Sequence, residues 1–195
     1  MKKNRLGIVA FAALALWLSA CNRTNAVAID PPRDAPDITG IDWNGKPFSL
    51  AEQRGRVVLV AFGYTSCPDI CPTTLSRLRK AVGHDDDVAV VFVTVDPERD
   101  TKERLASYVP AFGADFHAPT LAPDALRQVR DGFEVVATRH YAAPGTPNQT
   151  ARYVIDHTSG IFVIDRAGKI RLRIPADATP EEMRRDIERI AEERS

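Results

Sequence analysis

The chain has 195 residues, a length that suits one ordinary domain with a continuous apolar core. Lys+Arg and Asp+Glu both total 26, and Lys2, Lys3 and Arg5 crowd the first five positions, so the remaining body is slightly acidic. That balance argues against a nucleic-acid binder, which gathers a basic surplus on one face to neutralise phosphates.

A basic start, Met1 to Arg5, precedes an apolar run from Leu6 to Ala20 that ends in Leu18-Ser19-Ala20-Cys21. This is a signal peptide's layout, and the run is shorter than the roughly 20 apolar residues that a membrane-spanning helix needs. Leu-Ser-Ala-Cys resembles the lipobox of bacterial lipoproteins, in which the cysteine thiol becomes the point of lipid attachment. Residues 1–20 are therefore expected to be removed and Cys21 to become a lipidated N-terminus. The chain would then be anchored to a membrane of the bacterial envelope, with its domain facing the periplasm. A plain signal peptide cut after Ala20, leaving Cys21 a free thiol, is the other reading. Residues 22–36 contain three prolines and no apolar period, so 21–36 reads as a lipidated tether and 37–195 as the folded domain. Fifteen such residues reach at most about 50 Å when extended.

The domain alternates strand-like and helix-like stretches. Ile38 to Trp43 and Pro47 to Leu50 suggest a hairpin, with Asn44-Gly45 suited to a type I′ turn. Val57 to Tyr64 and Val88 to Val95 are apolar at nearly every position, as central strands covered on both faces are. Between them Pro72 to Val82 sets Leu75, Leu78 and Val82 on one helical face, with Gly83 just past the end. Asp100 to Val109 and Pro123 to Arg130 read as further helices, followed by a strand over Phe133 to Thr138 and a Pro/Gly-rich loop, expected to be mobile, from Ala142 to Gln149. Ile161 to Asp165 and Lys169 to Ile174 form a strand pair turning at Ala167-Gly168. The last helix opens with Thr179, Pro180 and Glu182, a capping-box pattern. The order matches an α/β, thioredoxin-like three-layer fold with a central mixed sheet and an additional N-terminal hairpin.

Three cysteines less a lipidated Cys21 leave one pair, Cys67 and Cys71. In an oxidising compartment two nearby thiols form a disulfide, bind a metal or cycle between states. Cys67-Pro68-Asp69-Ile70-Cys71 lies where a strand gives way to a helix, and the free amides and positive dipole end of a helix N-terminus stabilise a thiolate. The spacing puts the sulfurs about one turn apart, able to face one ion. A buried disulfide stapling the loop is the plainer alternative. His157, just before the strand from Ile161, belongs to the loop that abuts the cysteine loop in a thioredoxin-like fold, which makes it the candidate third ligand. Two thiolates and one imidazole are soft enough for Cu(I) and leave Cu(II) accessible, whereas structural zinc wants a fourth ligand. His84, His117 and His140 have no partner cysteine and read as exposed or satisfied histidines.

The stretches FGYTSCPDICPTTL, VDPERDT (Val95 to Thr101) and DHTSGIFVID (Asp156 to Asp165) resemble the Sco/SenC family of copper proteins. The resemblance runs from about Ile38 onward. It implies a thioredoxin-like fold and one copper ion, Cu(I) or Cu(II), held by Cys67, Cys71 and His157. It also implies a metallochaperone whose partner is the copper-bearing subunit of cytochrome c oxidase, during assembly of the dinuclear copper site. Asp96 reads either as orienting the site or meeting the partner, or as a loop cap before Pro97. Asp69 reads as a turn residue.

The competing function is a thiol-disulfide oxidoreductase, in which Cys67 and Cys71 reduce cysteines of the copper acceptor. Ordinary thioredoxins place two residues between their cysteines and need no His157. A peroxidase fits less well, since Tyr64 stands where a threonine would precede a peroxidatic cysteine.

Overall fold

A computed structural model describes residues 25–141 and 153–193. Cys21 and the loop over 142–149 lie outside the described residues. Among the described residues no helix is long and apolar enough to cross a membrane.

The two apolar runs form the centre of the sheet. Strands β4 (Val57–Gly63) and β5 (Val88–Thr94) are buried at every position and pair in parallel, Val57 opposite Val88 through Gly63 opposite Thr94. Two more strands, β8 (Ile161–Ile164) and β9 (Lys169–Ile174), add antiparallel to β4 and to each other. Their turn is set by Gly168, at φ +82°, with its N–H donating to the Asp165 carbonyl. The fifth strand, β1 (Val27–Asp34), closes the β9 edge, so the spatial order is β1-β9-β8-β4-β5. The central mixed sheet of the thioredoxin-like plan is present.

Strand β1 corrects the reading of residues 22–36 as tether. Its prolines and lack of alternation hide a strand, yet the outer edge of β9 offers unpaired backbone groups that Val27, Ala28, Arg33 and Asp34 satisfy. Pro31 and Pro32 fall in the irregular stretch between Ala28 and Arg33, where an edge strand tolerates a missing donor.

Alternation along β4 sends side chains to two cores. Val57, Leu59 and Ala61 join Leu75 and Leu78 of helix α1 (Ile70–Val82), Leu105 of α2 (Lys102–Tyr108) and Met183, Ile187 and Ile190 of α4 (Pro180–Glu192). Val58, Val60 and Phe62 face Leu126 and Val129 of α3 (Pro123–Gly132), together with Phe133, Phe162 and Phe48. Phe62, Phe133 and Phe162 meet edge to face at centroid spacings of 5.1 to 5.9 Å. Helix α4 opens with the expected capping box: Thr179 Oγ1 accepts from Glu182 N at 3.2 Å and Glu182 Oε2 from Thr179 N at 2.7 Å.

Three local expectations differ. The additional hairpin exists as β2 (Thr39–Ile41) and β3 (Pro47–Ser49), but its turn is not type I′. Gly45 N–H bonds the Asp42 carbonyl, Asp42 N–H bonds the Lys46 carbonyl, and only Gly45 in the turn has positive φ, which is the three-residue loop with a glycine bulge. Helix α1 begins at Ile70 rather than Pro72, so Cys71 sits inside its first turn, where a proline at the third position removes no intrahelical bond. The strand expected over Phe133 to Thr138 starts only at Ala137. Phe133 and Val135 are buried in alternation, which mimics a strand, but they belong to a helix stop. Glu134 sits at φ +57°, Val135 N–H reaches back to the Arg130 carbonyl and Glu134 N–H to the Asp131 carbonyl, the paired bonds of a Schellman motif. The chain then forms a hairpin not foreseen, β6 (Ala137–Tyr141) with β7 (Tyr153–His157), outside the main sheet.

Candidate metal centre

Strand β4 ends at Gly63, and the turn over 64–69 delivers the chain to the N-terminus of α1. That turn is tied down from below. Asp100, only 1 % exposed, accepts from Thr65 N at 2.9 Å, Thr65 Oγ1 at 2.6 Å and Thr94 Oγ1 at 2.6 Å. Arg104 braces it from outside, donating to Thr65 Oγ1 at 2.7 Å and Ser66 Oγ at 3.1 Å.

Cys67 and Cys71 are both free thiols; Cys67 is half-buried and Cys71 buried. Cys67 Sγ accepts from the Cys71 backbone N–H at 3.4 Å, so a sulfur caps the helix where no side-chain oxygen does. The two thiols divide one proton unequally. A hydrogen bond from the Cys71 side chain, the amides of Cys71 and Asp69, and the nearby His157 lower Cys67 to about 5, against a desolvation that opposes them. Cys71 is pushed up by its bond to Cys67 and by burial. The burial of Cys71 and the amides around Cys67 both favour placing negative charge on the more exposed sulfur.

His157 ends β7 and hangs over the cysteines. Its Nε2 lies 3.8 Å from Cys71 Sγ, and its Nδ1 lies 3.0 Å from the Thr158 carbonyl. A carbonyl only accepts, so Nδ1 carries the proton and the Nε2 lone pair faces the sulfur. The ring is fixed edge-on to Tyr64, with centroids 6.2 Å apart at 80°. Among the described residues no three His, Cys, Asp or Glu side chains already stand as a closed cation cage. The sulfur–nitrogen spacing nonetheless suits a shared ion. Donors bound at about 2.3 Å (sulfur) and about 2.0 Å (nitrogen) stand about 3.7 Å apart at a trigonal angle.

The site opens to solvent through a cleft of about 420 Å³ with Tyr64, Cys67, Ile70, Val154 and His157 on its walls. A second cavity of about 510 Å³, including Ile70, Arg77, Ser159 and Arg173, lies on the other side of Ile70. Ile70 and Val154 are exposed apolar residues beside the sulfurs.

The structure thus brings Cys67, Cys71 and His157 to one place from two distant parts of the chain. The other histidines stand apart: His117 Nδ1 is 2.8 Å from Asp42 Oδ2, His140 Nε2 is 3.0 Å from Asp156 Oδ2, and His84 is exposed. Asp69 is exposed, with Thr73 Oγ1 at 3.5 Å. Asp96 is completely buried and bonds Arg99 and Tyr153, which removes it as a partner contact. Asp100, Thr65, Arg104, Arg99 and Tyr153 support the site and were not singled out by sequence reasoning. Asp100 and Arg99 lie within VDPERDT, where a charged cluster directly after a buried strand was the available signal.

Fold and site together define a thioredoxin-like protein with a dithiol at a helix N-terminus and an imidazole facing it. The family model described as SCO1/SenC matches residues 29–192. The chain is 36 % identical over 151 residues to the SCO2-like protein RC0895 of Rickettsia conorii, covering 75 % of this chain and 72 % of that one. Among solved structures it resembles Bradyrhizobium japonicum ScoI with copper bound, at TM-score 0.69 and 32 % identity over 80 % of this chain and 99 % of that one. It also resembles apo Sco1 from Thermus thermophilus, at TM-score 0.71 and 31 % identity over 87 % and 98 % of the two chains. This chain belongs to the SCO1/SenC family.

Proposed function

We propose that the chain is a copper metallochaperone that holds one copper ion with Cys67, Cys71 and His157 and passes it to the dinuclear copper site of cytochrome c oxidase during assembly. The observation that carries this reading is the approach of His157 Nε2 to Cys71 Sγ at 3.8 Å, with Nδ1 engaged by the Thr158 carbonyl. That arrangement presents a lone pair beside two sulfurs, a donor set soft enough for Cu(I) that still admits Cu(II). The copper bound to Bradyrhizobium japonicum ScoI supports the choice of metal. Copper is cargo here, so binding has to be reversible. The half-buried Cys67 at the mouth of an open cleft is the ligand an incoming donor from the acceptor can displace first. In the same reading Cys21 is the lipidated N-terminus, residues 1–20 are removed, and the domain faces the periplasm.

The alternative, reduction of the acceptor's cysteines, is favoured by the asymmetry of the two thiols. The Cys67 thiolate would attack an acceptor disulfide, releasing one acceptor thiolate and leaving a mixed disulfide. Cys71 would then attack Cys67, release the second thiolate and leave the chain oxidised.

Titrating full-length, fully reduced protein in detergent with Cu(I) against a competing chelator tests the first reading. One copper per chain is expected, with affinity falling in Cys67→Ser, Cys71→Ser and His157→Ala. Unchanged stoichiometry and affinity in all three variants would defeat the assignment. Disulfide reduction of an oxidised acceptor peptide by His157→Ala, with a chelator present, would favour the oxidoreductase.

A further inference from the structure

The hairpin β6–β7 carries His157 but, among the described residues, is not paired into the main sheet. Something else has to hold the imidazole over the sulfurs. Tyr153, Ile155 and His157 share one face of β7, since side chains alternate along a strand. Each of the three meets the body of the protein. His157 faces Cys71, and Ile155 N–H donates to the Tyr64 hydroxyl at 3.3 Å. Tyr153 meets Arg99.

The contact at Tyr153 is a closed ring of interactions. Tyr153 Oη donates to Asp96 Oδ1 at 2.6 Å, Arg99 Nε donates to Asp96 Oδ2, and Arg99 Nη1 donates to the Tyr153 carbonyl at 3.0 Å. The guanidinium carbon also lies over the Tyr153 ring, 3.7 Å from its centroid, and 5.6 Å from that of Tyr64. Its remaining nitrogen, Nη2, is buried with no partner among the described residues. A lysine could pair with Asp96 without such an orphan. The guanidinium is present for what a point charge does not supply: simultaneous grip on a carboxylate, a strand carbonyl and an aromatic face.

We infer that Arg99 is a positioning residue for the metal centre, fixing the start of β7 so that His157, four residues on, delivers Nε2 to the ion held by Cys67 and Cys71. This rests on the copper reading of the site, and it assigns Arg99 no contact with the metal. Arg99 acts on the imidazole through the hairpin and leaves the sulfurs, which ride on the β4–α1 turn and on α1, where they are.

The test is a mutant cycle in full-length, reduced protein in detergent, reading Cu(I) affinity by chelator competition and nitrogen hyperfine coupling of the Cu(II) form by electron paramagnetic resonance. Arg99→Met is expected to weaken copper binding ten- to hundredfold, the usual effect of losing an outer-shell partner. It should also diminish the imidazole nitrogen coupling. Arg99→Lys is expected to recover little of either. In a His157→Ala background Arg99→Met should add no further loss. Tyr153→Phe removes one hydroxyl from the ring and guards against a misfolded Arg99→Met; it should shift both readouts the same way by less. Wild-type affinity and coupling in both Arg99→Met and Tyr153→Phe would overturn the inference, as would an equal loss with and without His157. If His157→Ala alone binds copper like the wild type, the histidine is not a ligand and Arg99's role falls with it, whereas the copper reading as a whole fails only if Cys67→Ser and Cys71→Ser are unchanged as well.

Discussion

Gly63, the last residue of β4, stands between a core ring, Phe92, and a cysteine of the candidate site, Cys71. A Cβ added there would stand 2.8 Å from Phe92 Cε2, 3.0 Å from Cys71 Sγ and 3.3 Å from Phe92 Cζ. Phe92 is 1 % exposed and packed in the core under α1 and α2, so its ring has little room to retreat. The cysteine sulfur, or the strand end itself, must give way. Overpacking of this kind costs about 1–3 kcal/mol, and replacing glycine in a strand returns about 0.5–1 kcal/mol of backbone entropy. Taking the middle of each range, Gly63→Ala is expected to lose about 1 kcal/mol net, which lowers the melting temperature of a chain this size by about 2–4 °C. The same displacement takes Cys71 Sγ off its spacing to His157, so copper affinity should fall about tenfold or more. Thermal melts of the apo protein and Cu(I) titration read the two effects. A second change, Phe92→Leu, makes room on one side, so the double variant should be more stable than the sum of the single losses predicts. Gly63→Ala melting within about 1 °C of wild type and binding copper equally well would refute the packing argument.

The thiol pair and the Asp100 network each fix measurable outcomes. Cys67 should alkylate with iodoacetamide with a midpoint near pH 5, while Cys71 stays unreactive in the folded chain, as mass spectrometry of the labelled peptides would show. Because the Cys67 value is lower folded than unfolded, its contribution to stability is present above the unfolded thiol's pKa and is lost as pH falls through about 5. The Cys71 side chain is the first cause of that lowering, so Cys71→Ala should move the alkylation midpoint upward; an unmoved midpoint would contradict the assigned cause. Asp100→Ala strands three donors, one buried on Thr94 and two half-buried on Thr65, each costing about 1 kcal/mol or somewhat more. Differential scanning fluorimetry should register a fall of at least about 6 °C, and wild-type melting would show that the loop before Cys67 does not depend on this carboxylate.

Much of the fold could be read from period and punctuation. The apolar runs of β4 and β5 announce buried central strands, and Thr179-Pro180-Glu182 announces the start of α4, because these signals lie wholly within the segment they describe. Failures came where a partner elsewhere decided the outcome. Val27–Asp34 is a strand only because β9 has a free edge, and nothing in its prolines says so. Phe133 and Val135 alternate like a strand, but both are buried by the stop of α3, a tertiary cause that a window of residues does not contain. The same split applies to the site. Its cysteines and histidine were legible as chemistry at a strand–helix junction and a loop. Asp100, Arg99 and Tyr153 were not, since a buried acid, base or phenol that holds another residue in place has no chemical signature apart from its neighbours.

The two halves of the site are built with different rigidity. Cys67 and Cys71 sit on the junction of β4 and α1, where every β4 residue is buried and Asp100 and Arg104 pin the turn. His157 comes from a two-stranded ribbon fastened to the body at Tyr153, through the Tyr64 hydroxyl, and by Arg139, which donates to Glu98. Substitutions at Gly63 or Asp100 therefore act on the sulfurs and on global stability together, because the same backbone serves both. Substitutions at the exposed ribbon positions act on the imidazole with little change to the core, because among the described residues its strands share no ladder with the main sheet, whereas Ile155 is buried in the second core. In the copper reading of the site, this arrangement lets the imidazole adjust its approach through the ribbon while Cys71 stays fixed on α1 and the more exposed Cys67 stays open to an incoming donor.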